Sequence, residues 1–290
     1  SWATVERQEG QSLKQLKSIA TVRSVGASTR IEGSKMSDEE VETLLKNIDV
    51  TKLEDRDSQE VVGYFETLDI ISESYPDIPI NESNLKNFHS ILMKHSQKDG
   101  WHKGDYKQHS NAVEANYPDG TKQIIFQTTE PGFATDDAMN ALFEWYINDD
   151  ETHPLVKSAI FSYEFVSVHP FQDGNGRLSR LLASLLLLQN GYKWIQYVSL
   201  EHEIESRKNE YYRVLRSCQA NRPNENINEW IDFFFSALKN IQAQLMNKLE
   251  TSGNEGSLSP REKSMITFIG NHAGCKSGEI AKKLDIPSPT

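Results

Sequence analysis

Apolar residues recur at intervals of three and four along most of this 290-residue chain, a period that puts them on one side of an α-helix. Val41, Leu44, Leu45 and Ile48 form one such stripe, with Ser37 and Glu40 in capping-box positions ahead of it. Leu85, Phe88, Ile91 and Leu92 repeat the pattern, as do Met139, Leu142, Phe143 and Tyr146. An all-α body is therefore expected, with one interruption. Residues Ala112 to Tyr117 and Lys122 to Gln127 flank Pro118-Asp119-Gly120, a turn signal between two short extended runs. A lone β-hairpin is marginal by itself, so it is expected to lie against the helices, where it can bind something extended.

Two apolar helices follow. Thr152 is placed to cap the first, with Pro154 in its opening turn and Leu155, Ala159, Ile160 and Val166 on its buried side. It has to end near His169-Pro170. The second starts around Gly176, runs through Leu181, Leu182, Leu185 and Leu186, and stops at Asn190-Gly191. Past Glu250 the composition turns to Thr251-Ser252-Gly253-Asn254-Glu255-Gly256-Ser257, which reads as a flexible linker. Beyond it, Met265, Ile266 and Ile269 mark one helix, and Ser277 to Ala281 resembles the second helix of a helix-turn-helix. The expected partition is an N-terminal helical region over 1–55, a core over 56–250 and a partial winged helix-turn-helix over 257–290. Most of that module's recognition helix and its wing would fall past Thr290.

A formal charge of −11 argues against a surface that coats nucleic acid, which needs clustered Lys and Arg; a small basic C-terminal module contacting DNA stays open. Cys218 and Cys275 are the only cysteines, so no disulfide framework is available and a reducing, cytoplasmic setting is expected. Leu181 to Leu188 is too short to span a bilayer, which takes about 20 apolar residues. No membrane association is expected.

The segment between the two helices concentrates the chemistry: His169-Pro-Phe-Gln-Asp173-Gly174-Asn175-Gly176-Arg177-Leu-Ser-Arg180. Two glycines around Asn175 let backbone N–H groups approach a ligand at the start of a helix whose dipole favours anions, which suits phosphate. Arg177 and Arg180 break a local rule, because cations in a first turn are disfavoured by about 0.3–1 kcal/mol each. Spaced i and i+3, they are expected to share a face and grip a polyphosphate. Asp173 can hold Mg²⁺ beside the cradle, and His169 can act as a general base. Taken singly, Asp173 could equally be an N-cap, Asn-Gly a plain turn and His169 a structural helix-end histidine. In combination, two glycines, two arginines and a histidine in fixed order have no structural use.

Residues 169 to 180 match, position by position, the signature of the Fic (Fic/Doc, Fido) domain family: histidine, any residue, phenylalanine, any residue, Asp or Glu, Gly-Asn-Gly-Arg, two variable residues and Arg. The resemblance extends from about Ser28 to Leu238. It implies a helical Fic fold with a β-hairpin flap, and transfer of AMP from ATP to a Ser, Thr or Tyr hydroxyl of a target protein. His169 would then deprotonate the hydroxyl and Asp173 would hold Mg²⁺. Gly174, Asn175 and Gly176 would form the anion hole at the α-phosphate, and Arg177 and Arg180 would bind the β- and γ-phosphates. Ile125 and Phe126, on the second flap strand, and Arg207 and Tyr211, near the family's adenine pocket, would complete the nucleotide and target contacts. Two adjacent tyrosines, Tyr211 and Tyr212, are equally suited to a core. Lys107 replaces an arginine common in the family, and no function follows from that change.

Ser28-Thr-Arg-Ile-Glu32-Gly33 resembles the family's inhibitory pattern of Ser or Thr, three residues, Glu, then Gly or Asn. The resemblance implies that Glu32 pairs with Arg180 and so competes with a γ-phosphate for one guanidinium face. Read without it, Glu32 is a charged helix-end residue and Gly33 its cap. Two rival functions stay open: removal of AMP at the same site, and a nucleotide-sensing DNA-binding regulator. The resemblance also leaves self-association open.

Overall fold

A computed structural model describes residues 10–98, 100–116 and 120–255. The hairpin turn at 117–119 and the expected helix-turn-helix over 257–290 lie outside the described residues. The chain divides into two compact units, 1–242 and 243–290, and the described part of the second is the end of a helix.

The order of elements is α1 (Gly10–Ile31), α2 (Asp38–Lys46), α3 (Arg56–Ser74), α4 (Glu82–Leu92), β1 (Ala112–Asn116), β2 (Lys122–Gln127), α5 (Phe133–Asn148), α6 (Pro154–Val168), α7 (Asn175–Gln189), α8 (Leu200–Ser206), α9 (Lys208–Gln219) and α10 (Asn228–Glu255). The Ser37–Glu40 capping box forms: Ser37 Oγ accepts from the Glu40 N–H at 3.3 Å and Glu40 Oε2 accepts from the Ser37 N–H at 2.8 Å. Two local readings need correction. The N-cap of α6 is His153, whose Nδ1 accepts from the Leu155 N–H at 3.2 Å; Pro154 is the first helical residue, which places Thr152 one position too early to cap. Residues 251–255 are helical rather than linker, since each added turn of a long helix gains a hydrogen bond per residue fixed.

α6 and α7 make the centre of unit 1. Leu178, Leu181, Leu185, Leu186 and Leu187 are all fully buried, as are Phe161 and Tyr163 on α6. A helix apolar all round is one enclosed on every side. α1 packs across α3, α7 and α8, so the end of α1 arrives at the start of α7. α3 and α4 approach unusually closely at Gly63, where a Cβ would drive into the Leu92 carbonyl. Gly63→Ala gains roughly 1 kcal/mol in helix propensity but forces two backbones apart, and overpacking of this kind costs about 1–3 kcal/mol or more. A lower urea midpoint, equivalent to a net loss of about 2 kcal/mol, is the expected result.

The two strands pair antiparallel, with Val113 opposite Phe126 and Glu114 opposite Ile124, which leaves Ile125 as the extra residue of a bulge. Val113 and Ile125 are buried while Ile124 is exposed. The hairpin leans on α9, where Arg216 Nη2 donates to the Ile124 carbonyl at 3.4 Å. Among the described residues no helix is long and apolar enough to cross a membrane.

Candidate active site

The loop 169–174 joins the two central helices and is tied down from within. The Asn175 side chain turns back into the loop, accepting from the Phe171 N–H at 2.8 Å and donating to the Phe171 carbonyl at 2.7 Å. That carbonyl also accepts from Asn111 Nδ2 at 2.8 Å, and the Lys107 N–H donates to the Pro170 carbonyl at 2.8 Å. The Phe171 ring stacks on His89 with centroids 3.9 Å apart. His89 Nδ1 accepts from the Gly104 N–H, so its Nε2–H is the one that donates to the Asp173 carbonyl at 3.0 Å. Asn175 therefore serves the cradle through its backbone, its side chain being committed to the loop.

His169 caps α6 with φ 55°, a left-handed conformation found at no other non-glycine among the described residues. Such a residue costs about 1 kcal/mol or more and persists where its surroundings over-determine it. Its Nδ1 lies 3.2 Å from the Val166 carbonyl, which can only accept. The proton therefore sits on Nδ1, and Nε2 keeps a lone pair. Burial pushes the imidazole down to about 4, so the ring is neutral at physiological pH.

Glu32 reaches this loop from the end of α1. Its Oε1 accepts from Arg180 Nη2 at 2.7 Å, and the carboxylate occupies the space a Cβ on Gly176 would need. Arg180 is further held by Ser28, donating from Nε to Oγ at 2.8 Å and from Nη2 to the carbonyl at 3.0 Å. Burial works against the Arg180 charge and Glu32 more than offsets it, so its pKa lies above that of an ordinary arginine. The end of α1 is anchored on its other side: Arg30 donates from Nε and Nη2 to Glu205 at 2.7 and 3.0 Å, and Lys208 donates to the Ile31 carbonyl at 2.8 Å.

Arg177 does not join Arg180. It points toward α3 and α4, with Nη1 3.4 Å from Glu60, Nη2 3.5 Å from Asp173 and 3.9 Å from the Met93 sulfur. The two arginines thus leave the helix toward different partners, although their spacing suggests one face. Asp173 Oδ1 accepts from the Gly174 N–H at 2.6 Å, and Oδ2 lies 3.5 Å from Arg56 Nη2. Burial raises the Asp173 pKa, but Arg177 and the Gly174 N–H outweigh it and hold the group below the usual carboxylate range.

These groups line one cleft of about 1150 Å³, with Glu32, His169, Asp173, Gly174, Asn175, Gly176, Arg180 and Tyr211 in its wall. Tyr211 and Tyr212 are both buried, Tyr211 packing against Tyr212, Trp230 and Phe233, which fits the core reading, and both also border the cleft. Ile125, Phe126 and Arg207 do not line it: β1 contributes Ala112 and Val113 instead. Arg207 is drawn away by Glu203 at 3.4 Å and Glu210 at 2.9 Å and sits over the Phe233 ring. Sequence reasoning missed Arg30, Arg56 and Lys208 in the wall. Of these only Arg56 had a readable signal, a cation directly after the helix cap Asp55.

Comparison with known proteins points to one family. Residues 79–187 match the model of the Fic/DOC family. The chain is 23% identical to the protein adenylyltransferase Fic of Drosophila virilis, covering 95% of this chain and 56% of that protein. A solved Fic family protein from Desulfovibrio desulfuricans aligns with a TM-score of 0.66 at 25% identity, covering 94% of this chain and 77% of that one. A Fic domain containing signaling protein from Bacteroides thetaiotaomicron aligns at 0.68 and 21% identity, covering 86% and 94%. Residues 79–187 of this chain thus resemble a Fic/DOC domain, and the fold around them is shared with solved Fic proteins. The chain spans about half the length of the curated relatives it matches.

Proposed function

We propose that this chain is a protein adenylyltransferase that moves AMP from ATP to a hydroxyl side chain of a target protein, and that Glu32 restrains it. The observation that carries the reading is the Glu32 carboxylate seated against Gly176 and on Arg180, at the N-terminus of α7. An anion already occupies the place where backbone N–H groups, the helix dipole and a buried guanidinium converge. A phosphate has the same charge and acceptor geometry.

In the proposed reaction the target hydroxyl attacks the α-phosphorus of ATP in line. The bond from the α-phosphorus to the bridging oxygen breaks, pyrophosphate leaves, and the hydroxyl proton passes to Nε2 of His169. The N–H groups at the start of α7 stabilise charge developing on the α-phosphoryl oxygens, and Arg180, once released from Glu32, takes the terminal phosphate. Asp173 suits Mg²⁺: it is a hard carboxylate in the cleft wall, already attracting cationic Arg56 and Arg177, and Mg²⁺ is commonly held by one or two carboxylates together with phosphates. Bound there, the ion would neutralise phosphate charge as it develops. A target segment would pair with the hairpin bordering the cleft by strand addition, which positions a hydroxyl while reading little sequence.

Incubation of the full chain and of its Glu32→Gly variant with Mg²⁺ and ATP labelled at the α- or the γ-phosphate tests the reading. Label from α on protein, with none from γ, is expected, together with a mass gain of one adenylyl group per site. Label from γ alone, or none from either in both proteins, would overturn it.

A further inference from the structure

Arg56 has no part in the mechanism above, yet its placement is costly. It opens α3 directly after the cap Asp55, where a helix dipole disfavours a cation, and its side chain is 62% exposed in the wall of the active cleft. It closes a ring of alternating charge. Arg56 Nε pairs with Glu60 at 2.6 Å, Glu60 with Arg177 at 3.4 Å, Arg177 with Asp173 at 3.5 Å, and Asp173 with Arg56 at 3.5 Å.

The ring is unevenly made. Only the Arg56–Glu60 link has hydrogen-bond length and geometry. Arg177 is 1% exposed, and its Nε and Nη1 make no hydrogen bond. Two arginines are thus gathered around one carboxylate in the cleft wall, one of them buried with unused donors, which is an arrangement poised for an additional anion.

We propose that Arg56 is a third phosphate-binding arginine of this site, held at the cleft by Glu60 and exchanging Asp173 for the outer phosphates of the nucleotide. This rests on the transferase reading. When Asp173 turns to a divalent cation, Arg56 is left beside that cation at a separation where two positive charges repel strongly. Phosphate oxygens between them remove the repulsion and replace the lost carboxylate contact. Arg56 lines the same cleft as Gly174 to Gly176 and lies beside Asp173, within reach of phosphates beyond the one in the cradle. AMP, with one phosphate in the cradle, does not reach it.

Titration calorimetry with the full chain carrying Glu32→Gly, alone and combined with Arg56→Ala or Arg56→Lys, distinguishes the outcomes. Arg56→Ala is expected to weaken Mg²⁺-ATP binding about tenfold, the size of one partly exposed charge-assisted contact, while AMP affinity changes less than about twofold. Arg56→Lys should recover part of the loss, since a point charge remains but the planar fork does not. If the parent binds Mg²⁺-ATP and Arg56→Ala binds it equally well, the role for Arg56 is wrong and the transferase reading stands. Equal weakening of ATP and AMP also overturns it, because that is the mark of a general structural effect. A parent that binds neither nucleotide sinks both.

Discussion

Glu32→Gly is expected to raise transfer of AMP, including self-modification, by roughly 10- to 100-fold. The estimate comes from the contact removed: a charge-assisted hydrogen bond to Arg180 is worth about 1.5–3 kcal/mol, and each 1.36 kcal/mol corresponds to about tenfold in rate. The same substitution strips a buried cation, 4% exposed, of its carboxylate partner, so the variant should also unfold at a lower temperature. ATP should restore part of that loss by supplying a new anion. Rate measurements with α-labelled ATP and thermal unfolding with and without Mg²⁺-ATP read both effects. A variant as slow as the parent would remove the restraint from the account.

His169→Ala, made in the Glu32→Gly background, should lower transfer by about 10²- to 10⁴-fold, the usual contribution of a positioned general base. Its pH dependence is distinctive. The base works only unprotonated, and burial pushes the His169 imidazole down to about 4 from an ordinary value near 6.5. The acid limb of kcat/KM therefore lies well below pH 6.5, and the rate stays level from pH 7 to about pH 5. Retained labelling in the alanine variant, or an acid limb near pH 6.5, would contradict the role given to this residue.

Much of the scaffold is legible in the residues, for a local reason. Helix periodicity, the Ser37–Glu40 box and the two short extended runs are signals between neighbours in sequence, and the helices and paired strands appear where they stand. The contents of the cleft depend on distant partners. Arg207 sits in a suitable stretch of chain, but Glu203 and Glu210 are one turn away on either side and claim it. Arg177 and Arg180 have the spacing of neighbours, yet Glu60 and Glu32 approach from different helices and pull them apart. The contact between Glu32 and Arg180 joins residues 148 positions apart, so only a family pattern, and no local rule, can foresee it. Arg56 carried the same broken dipole rule that drew attention to Arg177 and Arg180, and could have been noticed on that ground.

The way Asn175, His89 and Lys107 bind the 169–174 loop to the most enclosed pair of helices leaves the reacting end of the molecule with little freedom to rearrange. On the opposing side the end of α1, buried through Ala27 and Ile31, is fastened by a separate set of contacts, Arg30 to Glu205 and Lys208 to the Ile31 carbonyl. The loop and the segment carrying Glu32 are thus fastened independently, so a change at Glu205 would reposition Glu32 without touching the ties of the loop.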